Sequence, residues 1–308
     1  MFKIPLIFKN EQFIRLWLNQ VFLQVGFNIC NYTVLLILAD RTHSPFVQAQ
    51  FFAALTLPAF VFGLIAGPIV DMVNRKRLML ISDILLAFLF LFYAFSGNKL
   101  ITFAIIAFLT SSTARFFIPA QAATIPLIVG RETLSFANAL FLFTLMGSVI
   151  LGYSIASPII EIFGGLGSSG ELAPFLLSSI FVVIGFILLL GFKDIKGLKP
   201  ELPQGTIFKK TFLLLWQTVR EVRSNQKVSL PILLLIFVEL NLGILSVVFL
   251  EYVRRFLNLP LTSVGVVLML PLIFGLIFGL TMLKKIQEKY GYRISISRAV
   301  LGIGVLFF

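Results

Sequence analysis

Polar side chains inside long apolar runs are the residues of this sequence most able to do chemistry. Arg115 falls within the apolar run 100–123. An arginine at a bilayer centre costs roughly 2.5–3.5 kcal/mol on insertion scales, so such a residue is retained for a pathway or a partner. The alternative is an arginine that snorkels to water past the near end of its helix. Glu239, with Asn241 close by, lies about ten residues into the run 229–252, where a carboxyl in low dielectric suits a proton carrier. A structural glutamate is the other reading. Gln20, Gln24, Asn28 and Tyr32 recur every four residues, with Asn31 adjacent. That spacing places them along one helical stripe, which must face water or other helices for its amides and phenol to find partners. The stripe reads as a cavity wall for a small-molecule substrate or as interhelical hydrogen bonding. Asp83 and Glu161 lie nearer the ends of their runs and read as structural.

This chemistry is binding and proton movement, not catalysis. No nucleophile–base set is evident. A lone Cys30 and a lone His43 cannot make a disulfide or a Cys/His metal cluster. The sequence therefore predicts no enzyme, no cofactor and no metal site.

The elements that would position these residues are membrane helices. The 308 residues are 59% hydrophobic and 12% charged, against about 25% charged in an average soluble domain, and the mean hydropathy is +1.03. Apolar runs of about 20 residues, the length that crosses a bilayer, recur throughout. Eight are complete, near 13–39, 48–70, 77–96, 100–123, 136–160, 174–193, 229–252 and 261–283, and a fragment begins near 292. The start of the chain has no cleavable signal pattern, so the first run is its own insertion signal.

Charge orients the runs. With the N-terminus inside, 20 of the 25 Lys and Arg fall on the inner side, four (Arg41, Lys99, Arg254, Arg255) fall outside, and Arg115 is within a run. Cations gather on the cytoplasmic face, so this asymmetry predicts a cytoplasmic N-terminus. It also accounts for the net charge of +12 without any nucleic-acid partner; membrane lipid is the expected contact. Phe208, Phe212, Leu215, Val219 and Val222 share a helical face within the polar stretch after residue 193. That face suits a helix lying on the inner leaflet or a plain helical linker.

Between the second and third runs stands Gly63-Leu-Ile-Ala-Gly67-Pro-Ile-Val-Asp71-Met-Val-Asn74-Arg75-Lys76-Arg77. Small residues four apart allow close helix approach. The stretch resembles the loop between the second and third helices of the major facilitator superfamily, with Met72 where that family usually has a cation. Arg115-Phe-Phe-Ile-Pro119-Ala-Gln121 resembles the family's fourth-helix motif, with Pro119 in place of a glycine. With its continuation through Ile125-Pro126, Arg131-Glu132 and Ala137-Asn138, it resembles more particularly the siderophore-exporter and macrolide-efflux branch. Ser148, Gly152, Ala156 and Ser157-Pro158 are similar to the exporters' fifth-helix motif, in which glycines precede a Gly-Pro pair, and they read mainly as close packing.

A repeat supports two halves. Phe62-Gly63-Leu-Ile-Ala-Gly67 recurs as Phe274-Gly275-Leu-Ile-Phe-Gly279, each followed by a basic segment. Parallel six-helix repeats are the expected architecture. The expected fold is thus an all-α membrane protein, a major facilitator-like bundle. Its N-terminal six-helix half would cover 1–192, a cytoplasmic linker 193–228 and a partial second half 229–308. Only ten residues follow Arg298, so the repeat predicts a chain cut short of its full set of helices.

The resemblance implies a monomeric secondary transporter of the bacterial inner membrane, exporting a small amphipathic compound against inward proton flow. Arg115, the Gln20–Tyr32 stripe and Glu239 would form the substrate or proton pathway. Gly63, Gly67, Asp71, Arg75, Lys76 and Arg77 would form a cytoplasmic gate. An uptake permease on the same scaffold and a non-transporting membrane protein are the alternatives.

Overall fold

The computed structural model describes residues 6–193 except 43, 97, 98 and 168, together with isolated positions between 220 and 259. Apart from those positions, the expected linker and partial second half lie outside the described residues, as do Glu239 and the Gly275–Gly279 repeat.

Within 6–193 the architecture is helical, and no strand occurs among the described residues. A short 3-10 turn, Leu6–Lys9, leads into α1 (Glu11–Thr42). It is followed by α2 (Pro45–Met72), α3 (Arg75–Ala94), α4 (Leu100–Ile128), α5 (Arg131–Ile162) and α6 (Leu172–Leu190). All six contain stretches long and apolar enough to cross a membrane. They coincide with the first six apolar runs, and the expected helical membrane fold is the one observed.

The ends are set by local chemistry. Asn10 Oδ1 accepts from the backbone N–H of Gln12 (3.0 Å) and Phe13 (3.2 Å), and Asn74 Oδ1 accepts from that of Arg77 at 2.9 Å. Both asparagines thus satisfy first-turn donors that have no partner within their helix. α2 opens with Pro45 in its first turn, where a missing N–H is harmless.

The helices pack in two matching sets. α1 packs chiefly on α5 and α6, and α4 packs in the same way on α2 and α3, with α3 and α6 in contact across the middle. Three helices are thus repeated as three. α1 is the centre: 67% of its most apolar window is buried, against 17% for α2. α6 presses on it without side chains in the way. A Cβ on Gly26 of α1 would lie 2.9 Å from the Ser178 carbonyl oxygen of α6.

Polar clasps close both ends. At the end bearing Arg75–Arg77, here the basic end, Asn10 Nδ2 donates to Ile128 O (2.6 Å) and Lys76 Nζ to Leu190 O (3.1 Å). Both acceptors are last-turn carbonyls, and a cation at a helix C-terminus also opposes the helix dipole. At the opposite end Arg41 of α1 pairs with Glu171 at the start of α6, and Tyr93 of α3 stacks on Phe175 of α6 at 5.4 Å.

Candidate functional site

The α1 stripe faces α5. Trp17 Nε1 donates to Thr144 Oγ1 (2.8 Å), Gln20 Nε2 to Phe141 O (3.2 Å) and Asn28 Nδ2 to Ser148 Oγ (3.2 Å). Tyr32 continues the row, its ring stacked on Tyr153 with centroids 4.2 Å apart and planes at 16°. Gln20, Gln24, Asn31 and Tyr32 are all buried. The Oε1 of Gln20 and the Oδ1 of Asn31 find no partner among the described residues. Two bare acceptors in an apolar setting leave hydrogen-bonding capacity for water or a guest molecule.

α5 reaches α1 closely because its facing positions are small. Ser148, Gly152, Ala156 and Ser157 are its buried residues there, and a Cβ on Gly152 would meet the Asn28 Cβ at 2.5 Å. The packing reading of this run is what the structure shows.

Arg115 sits on α4, fifteen residues after Leu100 and thirteen before Ile128. At 1.5 Å per residue it is about 20 Å from either end of the helix. It is half-buried, with its Nε enclosed. α4 extends five residues past the expected end at 123, so Arg115 lies deeper than sequence alone placed it.

The basic-loop residues come together only in part. Arg75 Nη2 pairs with Asp71 Oδ1 at 3.0 Å, and its Nη1 donates to Ala123 O of α4 at 3.1 Å. Arg75 thereby ties the end of α2 to α4. Lys76 leaves that pair for the end of α6, and Arg77 is exposed. Gly63 and Gly67 were expected to admit a close neighbour. Among the described residues an added Cβ at either would meet nothing within 4 Å, so the described helices of this half do not use that face.

One residue read as structural stands out. Asp83 is fully buried in α3 and accepts from Asn19 Nδ2 of α1 at 2.8 Å. A carboxyl eight residues into an apolar helix was a signal, but its partner lies 64 positions away in sequence. Among the described residues no group of three or more His, Cys, Asp or Glu could hold a metal ion.

The sequence profile of the Major Facilitator Superfamily matches residues 16–308. The chain is also 28% identical over 153 residues to the uncharacterized MFS-type transporter YkuC of Bacillus subtilis (strain 168), a match covering 48% of this chain and 35% of that protein. The chain thus aligns with about a third of the length of this relative. Six apolar spans packed as two sets of three, a basic α2–α3 turn and a profile that runs through most of the sequence agree: this chain is a multi-pass membrane protein of the Major Facilitator Superfamily.

Proposed function

We propose that the protein is a secondary active transporter of the bacterial inner membrane, N-terminus cytoplasmic, exporting a small amphipathic compound of drug or siderophore type against inward proton flow. The observation that carries this reading is Arg115 at the mid-length of α4. A cation about 20 Å from both helix ends supports a substrate or proton pathway over an arginine that reaches water. The bare acceptors of Gln20 and Asn31 and the Tyr32–Tyr153 pair support an amphipathic guest, offering hydrogen bonds beside aromatic faces. Glu239 is assigned to proton movement on sequence grounds alone.

The small-residue face of α5 resembles the exporters' motif and is weak support for export, since its role in this half is close packing on α1. Gly63, Gly67 and Asp71 form the gate face, open for the second half to close against. The test is substrate-dependent proton movement in liposomes. Arg115→Ala abolishes it with insertion intact, and Arg115→Lys separates charge from the planar five-donor fork. Near-normal coupling in Arg115→Ala removes Arg115 from the mechanism. Release from everted vesicles, rather than accumulation in them, would make the protein an importer.

A further inference from the structure

Asp83 and Asn19 occupy matching depths. Each lies eight residues into its helix from the basic end, about 12 Å at helical rise. Both are fully buried. The backbone of α6 seals the pair from the side, since a Cβ on Gly185 would stand 3.1 Å from Asn19 Nδ2. One hydrogen bond joins them, Asn19 Nδ2 to Asp83 Oδ2. The other oxygen of each, Asp83 Oδ1 and Asn19 Oδ1, has no partner among the described residues.

Among the described residues no cation answers the carboxyl. α6 carries no ionisable residue between Leu172 and Leu190. On α1 the Asp, Glu, Lys and Arg residues are Glu11, Arg15, Asp40 and Arg41, beside the neutral Cys30 and Tyr32; Arg15 is held by Glu11 and Arg41 by Glu171. α4 offers only Arg115. On α3 itself, Arg75 and Lys76 are committed to Asp71 and Leu190 O, and Arg77 is exposed at the turn. Asp83 takes part in none of the ion pairs of the described residues. An ionised carboxylate is acceptor-only, so here it would leave two bare oxygens and an uncompensated buried charge.

We propose that Asp83 and Asn19 form a buried proton-binding site, with the proton on Asp83 Oδ1. A neutral carboxylic acid and a primary amide are complementary, each with a donor and an acceptor. The amide N–H already donates to Oδ2. A proton on Oδ1 supplies the donor that Asn19 Oδ1 lacks, and a single proton satisfies both bare atoms. Its source is water, and its release returns it to water, leaving a carboxylate that this packing does not accommodate. Proton release therefore goes with parting of α1 from α3 and α6, or with water entering between them. The site is distinct from Arg115 and Glu239 and stands whether or not transport is proton-coupled.

Infrared spectroscopy of the full chain in lipid vesicles tests it, using wild-type protein carrying carbon-13 aspartate. The chain has four aspartates, Asp40, Asp71, Asp83 and Asp194. A protonated-carboxyl carbonyl band is expected at neutral pH, absent in Asp83→Asn and shifted in Asn19→Leu. Asp83→Asn restores a donor at that position, so it is expected to insert and remain monodisperse. Should that variant misfold, the labelled wild-type spectrum still decides. Carboxylate bands alone at neutral pH would overturn the proposal, as would a protonated band that survives in Asp83→Asn or one that Asn19→Leu leaves unmoved.

Discussion

Gly152 of α5 and Asn28 of α1 meet backbone to side chain, with room for a hydrogen atom and no more. A Cβ at Gly152 would lie 2.5 Å from the Asn28 Cβ and 2.9 Å from the Ile29 backbone nitrogen. Gly→Ala normally gains about 1 kcal/mol in a helix interior, whereas overpacking a close contact costs about 1–3 kcal/mol. Neither contact is the end of a flexible side chain, so the clash wins. Gly152→Ala is expected to lower the thermal midpoint of the purified protein. An unchanged or raised midpoint would show that α1 and α5 are not held this close.

Gly67 gives the opposite result. No described residue lies within 4 Å of an added Cβ, so Gly67→Ala is expected to leave the midpoint unchanged or raise it. Gly67→Leu is expected to leave this half folded yet reduce transport at least tenfold in full-length protein, if the second half closes on this face. Wild-type transport by Gly67→Leu would remove the glycines from the gate.

Arg41 and Glu171 join the far ends of α1 and the α5–α6 connection, and Glu171 Oε1 also accepts from the backbone N–H of Gly167 at 2.7 Å. The Glu171 side chain is 6% exposed and that of Arg41 30%, which places the pair between the surface and the buried limits. Glu171→Gln keeps the acceptor for Gly167 but removes the charge, at an expected cost of about 1–2 kcal/mol. Combined with Arg41→Met, it should cost less than the two single losses added, as read from thermal unfolding. Strict additivity would mean that the pair contributes nothing.

Orientation follows from the charge asymmetry. Ser169 and Glu132 are exposed at opposite ends of α5 and its flanking turn. Cysteine at 169 is expected to react with a membrane-impermeant thiol reagent added to intact cells, and cysteine at 132 only after the membrane is opened. The reverse pattern would invert the assigned topology. The single native cysteine, Cys30, is buried and should not confuse the assay.

Much of the fold was readable because lipid imposes a simple rule: a span must be apolar and about 20 residues long. Helix ends were harder to read. The fourth apolar run ended near 123, yet α4 continues through Pro126 to Ile128, where Asn10 Nδ2 bonds the last carbonyl. A side chain 118 positions away that satisfies a carbonyl at the helix end is invisible to local pattern. The α1 stripe shows the same division. Its period of four was plain, but that it faces α5 depends on which helices are adjacent. Asp83 shows it too: depth along a helix can be counted, whereas the face it occupies and the amide that meets it come only from packing. The open side of Gly63 and Gly67 was equally hidden, because small residues four apart look alike whether or not a neighbour has arrived.

The six helices differ greatly in length, and this bears on which lipids the protein tolerates. α1 and α5 have 32 residues each and α6 has 19, or about 48 Å against about 28 Å of rise. The long helices can tilt or let their polar ends stand in the headgroups. α6 has nothing to spare against a hydrocarbon core about 30 Å thick. It is fixed at one end by the Arg41–Glu171 pair and at the other by Lys76 on Leu190 O, so it cannot slide to adjust. The shortest helix therefore sets the bilayer thickness in which this half sits without strain. Long-chain lipids would be felt first at the ends of α6.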